Sequence, residues 1–250
     1  MELILPIIPL AFICELVDSS LGMGYGTTLT PLLLILGYDP LDVVPAVLFS
    51  EFITGILAGL LHHEFENVDL RPGTRDFKVM VLMTLLSIVG VTIAVLISVS
   101  LPTWAIKAYI GFVVLSIGIS ILLYRNRSIA FSWKRIAGLG LLASFNKGIS
   151  GGGYGPVVTG GQVLAGMESR RAVAIASMAE GITSAVGVSI YILRGVPINL
   201  DLASSLVIGA VLSVPLAAYI IKRVSTGKLT LAIGVMSTVL GGYTLLKLLV

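Results

Sequence analysis

Six stretches of this chain are long and apolar enough to cross a bilayer, at 42–63, 77–100, 103–124, 170–193, 200–221 and 228–249. A helix that crosses ~30 Å of hydrocarbon needs about 20 such residues. Inside lipid the backbone satisfies its own polar groups only as helix or as a closed barrel. The chain is therefore read as an all-α integral membrane protein. Of its 250 residues only 12% are charged, against about 25% in soluble domains, and the mean hydropathy is +1.05. That leaves no room for a soluble catalytic or nucleotide-binding domain. The net charge of +3 does not argue for nucleic acid, because the basic residues lie in short loops between apolar segments. The single cysteine, Cys14, sits in an apolar run, which rules out an intrachain disulfide and a cysteine-built metal site. Nothing calls for a cofactor or a resident metal.

Four further apolar segments are too short to span, at 3–18, 24–37, 135–147 and 154–166, each expected to reach only ~20 Å at 1.5 Å per residue. They come in pairs joined by glycine: "GMGYG" at residues 22–26 and "ISGGGYGP" at 149–156. Each pair reads as a helical hairpin that either dips into the membrane and returns or crosses as two shortened helices. Irregular backbone at membrane depth survives only inside protein or against a cavity. Basic residues set the orientation. Arg71, Arg75 and Lys78, then Arg125, Arg127, Lys134 and Arg135, then Arg170 and Arg171, and last Lys222, Arg223 and Lys228 all fall on one side of the spans. The other side is far poorer, with Arg194 and Lys247. The basic side is expected to be cytoplasmic, which places both termini outside a prokaryotic cytoplasmic membrane.

A shift of 129 residues lays Gly22, Gly24, Tyr25 and Gly26 on Gly151, Gly153, Tyr154 and Gly155, and Thr30 on Thr159. Without a gap it also pairs Glu51 with Glu180 and Thr54 with Thr183. Matching tyrosines and glutamates are improbable by chance where both are scarce. Two repeats follow, 1–125 and 126–250, each one hairpin plus three spans. Three is odd, so the second copy enters the membrane inverted. Inverted repeats with interrupted helices are the sequence pointer to a secondary transporter with its site at the midplane.

Those residues suggest chemistry. A helix starting at each glycine joint presents unpaired N–H groups and a partial positive charge near mid-membrane, which suits an oxyanion. Glycine lets the amides approach a ligand unobstructed. Candidate binding residues are Gly22, Gly24, Tyr25, Gly26 and Thr27 at the first tip, and Ser150, Gly151, Gly152, Gly153, Tyr154 and Gly155 at the second. Ser19, Ser20, Thr30 and Thr159 offer further hydroxyls, Thr27 and Thr28 offer N-cap oxygens, and Pro156 suits a first helical turn. The competing reading is that the glycines only let helices pack closely. Glu51 and Glu180 lie at span centres, where a carboxylate costs at least ~2.5 kcal/mol. They either exchange protons, bind a cation, or cap the tip amides. The repeat sets Lys147 opposite Asp18. Lys147 either attracts the anion or pairs with Asp18 or Glu15. His62 and His63 end a span and are expected at the interface.

The motifs "DSSLGMGYGTTLTP" and "NKGISGGGYGP", each followed by a span with a central glutamate, resemble the sulfite exporter TauE/SafE family over nearly the whole chain. The resemblance implies a permease for sulfite, sulfonates or related sulfur oxyanions, largely outward, with a small anion and the lipid bilayer as partners. It leaves open the exact anion, the coupling ion and the oligomeric state, a dimer included. A cation carrier using Glu51, Glu180 and Asp18, and an importer driven by protons or sodium, remain the alternatives. A serine hydrolase using Ser150 or Ser20 lacks a histidine close enough to serve it.

Overall fold

The computed structural model describes residues 3–98, 103–124, 130–150 and 154–247. Ten helices follow in order: α1 Ile7–Leu21, α2 Tyr25–Ile35, α3 Pro40–Glu64, α4 Arg75–Ser98, α5 Thr103–Tyr124, α6 Trp133–Ser150, α7 Tyr154–Leu164, α8 Ser169–Leu193, α9 Leu200–Arg223 and α10 Thr226–Leu246. No strand occurs among the described residues. Among the described residues each apolar segment picked out by length forms a helix, and the protein is an all-helical integral membrane protein. Among the described residues α3, α8, α9 and α10 meet both the length and the hydropathy of a membrane span. Large side chains on their outer faces, such as Leu212, Val239 and Tyr243, are exposed, as lipid-facing residues are.

The hairpin arms depart from their expected lengths. α1 has 15 residues and α6 has 18, about 22 Å and 27 Å of helix, while α2 and α7 have 11 each, about 16 Å. The first arm of each pair ends nearer the tip than expected, α1 at Leu21 and α6 at Ser150. In α1 the extension is stabilised locally: the Ser19 hydroxyl donates to Glu15 Oε1 at 2.6 Å, one turn back. The helix stops at Gly22, left-handed at φ 69°, whose N–H closes on Asp18 O at 2.6 Å. That left-handed stop is the common glycine terminator.

α3 and α8 pack face to face in opposite directions, Glu51 meeting Ser184, Gly55 meeting Gly181, and Gly59 meeting Met178. A Cβ on Gly55 would lie 2.7 Å from Gly181 Cα, and one on Gly181 2.7 Å from Ile56 N. Only glycine lets two backbones cross so closely. α5 and α10 are likewise antiparallel, Leu115 against Gly241 and Leu122 against Gly234. α1 runs alongside α9 in the same direction, Ile4 N on Ser205 Oγ and Ile8 beside Gly209. α6 runs in the same direction as α4, Gly140 against Met83 and Ser144 Oγ on Ser87 Oγ. Exchanging the first five helices for the last five leaves this set of pairs unchanged.

Candidate functional site at the hairpin tips

The first tip is three residues, Gly22, Met23 and Gly24, between α1 and α2. Gly24 has φ 132°, and its carbonyl accepts the first intrahelical bond, from Thr28 N at 2.9 Å. α2 thus begins at Tyr25, earlier than a Thr27 or Thr28 cap would allow. Its leading amide, Tyr25 N, is capped at 3.1 Å by Asp18 Oδ1 from the end of α1. A carboxylate at a helix start meets both the unpaired N–H and the positive end of the dipole. Thr27 lies inside α2, and its side chain is outside the described residues. Gly26 faces Glu51: a Cβ there would lie 2.7 Å from Glu51 Oε1.

The second tip joins α6 to α7. Lys147 and Ser150 belong to the end of α6, and their side chains lie outside the described residues, as do Gly151, Gly152 and Gly153 altogether. α7 starts at Tyr154 with Pro156 in its first turn, where a missing N–H costs nothing. Gly155 faces the first tip, since a Cβ there would lie 2.5 Å from Gly22 O and 2.7 Å from Met23 Cα. Thr159 Oγ1 donates to Gly22 O at 2.8 Å. The two tips therefore touch.

Both tip tyrosines are anchors, each 1% exposed. Tyr25 packs with α1, α3 and α9, and its phenol exchanges a 2.8 Å hydrogen bond with Ser50. Tyr154 packs with α5 and α10, and its phenol bonds Ser87 of α4. Neither ring is presented to open space.

Glu51 and Glu180 are each the twelfth residue of a 25-residue helix. Glu51 is buried, and its Oε2 accepts from Ser184 Oγ at 3.0 Å. Glu180 is half-buried. Beside them stands a further acid, expected from the sequence only as a partner for Lys147. Glu15, 2% exposed, accepts from Ser19 at 2.6 Å and from Thr54 at 3.3 Å, with Asp18, Glu51 and Glu180 as its acidic neighbours. Its repeat position is Ser144, whose hydroxyl donates to Gly140 O at 2.6 Å. A usable signal existed: Glu15, Ser19 and Thr54 combine one helical turn with a position already marked by the repeat. No group of three or more histidine, cysteine or acidic side chains placed to hold a metal occurs among the described residues.

His62 is fully buried within the bundle. Asn67 Nδ2 donates to His62 Nδ1 at 3.1 Å, which leaves the proton on Nε2, donating to Ser19 O at 3.1 Å. Asn67 Nδ2 also donates to Ala218 O at 2.9 Å. The imidazole thus ties the last turn of α1 to α3, and Asn67 adds α9. His63, roughly 100° around the helix, instead bonds the Val68 carbonyl at 3.1 Å.

The sequence profile described as Sulfite exporter TauE/SafE matches residues 7–244, from the start of α1 into the last turn of α10. The chain belongs to that family. Among curated proteins, the Probable membrane transporter protein YtnM of Bacillus subtilis (strain 168) is 26% identical over 229 residues, covering 86% of this chain and 73% of the relative. This TauE/SafE protein is accordingly a membrane transporter, belonging to a family of transporters and not of enzymes.

Proposed function

We propose that this transporter exports sulfite or a small organosulfonate, or a related sulfur oxyanion, through a site between the two glycine tips at the membrane midplane. The observation that carries the reading is a charge exchange between equivalent positions. At the first tip the start of α2 is already filled by the protein's own carboxylates, Asp18 on Tyr25 N and Glu51 over Gly26. At the second tip the residue equivalent to Asp18 is Lys147. The anion is therefore assigned to the second tip, to the backbone amides from Gly151 to Gly155 with Lys147 and Ser150. The first tip, Gly22, Gly24, Gly26 and Thr27 with the Tyr25 anchor, forms the opposing wall.

The architecture assigned to this function is a pair of inverted halves, 1–125 and 126–250. Antiparallel packing of α3 on α8 and of α5 on α10 supports it. Both termini are placed outside and the loops at 64–77 and 125–134 in the cytoplasm. Expulsion of an anion from a negative interior gains ~2.3 kcal/mol per charge per 100 mV, so export needs no coupling ion. Proton-coupled movement is the second reading, favoured by the acids gathered at Glu15, Asp18, Glu51 and Glu180. The test is counterflow in liposomes with sulfite, thiosulfate, sulfate, taurine and sulfoacetate. Exchange confined to sulfur oxyanions or sulfonates, and lost in Lys147→Ala, fits the assignment. Exchange of cations alone refutes it.

A further inference from the structure

Glu15 is buried in α1, and a buried carboxylate has to be paired or neutralised. The hydroxyls around it show where a neutralising proton sits. Thr54 Oγ1 lies 3.0 Å from Ser50 O, one turn back on its own helix, and 3.3 Å from Glu15 Oε2. A hydroxyl has one hydrogen, so it serves one of these oxygens. Its repeat mate Thr183 gives that hydrogen to Ala179 O, the position equivalent to Ser50, at 2.7 Å. With the Thr54 hydrogen on Ser50 O, two bare oxygens face each other unless Glu15 Oε2 carries a hydrogen of its own. Ser19 donates to Oε1 at 2.6 Å, which makes Oε1 the carbonyl oxygen. Every group is then satisfied in sequence: Ser19 hydroxyl to Oε1, Oε2–H to Thr54, Thr54 hydroxyl to Ser50 O.

We propose that Glu15 is held as a neutral carboxylic acid, its proton on Oε2, and that this proton keeps the first tip from repelling the anion at the second. The tips touch through Thr159 and Gly22, and Gly22 ends the helix that carries Glu15. A further negative charge on α1 would therefore act on the ligand across that contact. The other titratable groups around Glu15 are Asp18 and Cys14 of α1, Tyr25 of α2, Glu51 of α3 and Glu180 of α8, with His62 of α3 on the Ser19 carbonyl. α9 and α10 carry none over 202–218 and 229–242. The second half needs no such proton, because the position equivalent to Glu15 is Ser144. Glu15 acts by its charge and does not touch the anion, which makes it a positioning residue. Its role rests on the export reading, whereas the proton on Oε2 does not.

Infrared difference spectra of the full chain in liposomes at neutral pH read the proton. Parent minus Glu15→Gln should contain the carbonyl stretch of a protonated carboxyl, and Ser19→Ala should move that band to higher frequency, because Oε1 loses its donor. Glutamine keeps both bonds, its oxygen on Ser19 and its amide hydrogen on Thr54, so the variant should fold. A difference spectrum with carboxylate bands alone, as when Glu15 is an ionised partner of Lys147, overturns the proposal, and so does a band that ignores Ser19→Ala. Counterflow of sulfoacetate, whose charge is constant from neutral to alkaline pH, reads the role. In the parent it should fall at least about fivefold as alkali removes the Glu15 band, whereas Glu15→Gln should hold its rate. One shared pH profile for both proteins overturns the role. A Glu15 band in a protein that exchanges no sulfur oxyanion keeps the proton on Oε2 and removes the anion assignment instead.

Discussion

Substituting Gly26 separates a flexible contact from a rigid one. A Cβ at position 26 would lie 2.7 Å from Glu51 Oε1, whereas ordinary carbon–oxygen contacts run at roughly 3.3–3.6 Å. The carboxyl must retreat by about 0.6–0.9 Å. Overpacking of this kind costs about 1–3 kcal/mol, offset by about 1 kcal/mol for replacing helical glycine with alanine. Gly26→Ala in the parent should therefore lose up to about 2 kcal/mol. In a Glu51→Ala background the obstruction is gone, and the same change should gain up to about 1 kcal/mol. The double-mutant cycle then returns a coupling of about 1–3 kcal/mol, and it subtracts the loss of the Ser184–Glu51 bond. Thermal unfolding in detergent reads it at roughly 2–4 °C per kcal/mol. Gly155→Ala is the control, because its Cβ would meet the backbone of Gly22 and Met23, which Glu51→Ala does not move. Identical shifts for Gly26→Ala in both backgrounds would refute the placement of Glu51 over the first tip.

Asp18→Ala should cost about 1–2 kcal/mol of stability through loss of the cap on Tyr25 N, while Asp18→Asn, which keeps an acceptor, should cost less; equal melting temperatures for Asp18→Ala and the parent would contradict the capping geometry. Gly181→Val puts side-chain atoms into the α3 backbone at Gly55 and should abolish folded protein, seen as loss of a monodisperse peak in size-exclusion chromatography. Glu51→Gln and Glu180→Gln should express normally and change the rate or pH dependence of flux; parent-like flux at every pH would reassign both glutamates to structure. Cysteine at Arg71, which is exposed, should be labelled only from the cytoplasmic side, and labelling of sealed cells from outside would invert the topology.

Helix positions were legible because they follow from one-dimensional quantities. Run length separates α3 from α2, and the glycines at 22 and 24 mark the joint between α1 and α2. The centrality of Glu51 and Glu180 was legible for the same reason. Contacts across the bundle were not. Asp18 is seven residues from the amide it caps, and the reading placed the cap on the nearer Thr27 and Thr28. Adjacent histidines point to different faces of a helix, but the sequence does not say what each face meets: His62 faces the last turn of α1 and His63 the loop after α3. Gly55 and Gly181 gave no sign of their crossing, because which helix faces which is decided by packing that hydropathy does not encode. Lys147, Ser150 and Gly151–Gly153 keep their assignment from the repeat alone.

Sulfite efflux from liposomes under a set membrane potential tests the central claim most directly. Vesicles loaded with labelled sulfite, with equal pH on both sides, should release it faster when a potassium diffusion potential makes the interior negative. Protein-free vesicles should show no comparable acceleration. Release no faster than from protein-free vesicles would contradict the oxyanion assignment, and release that follows an imposed proton gradient but ignores the potential would contradict uncoupled export.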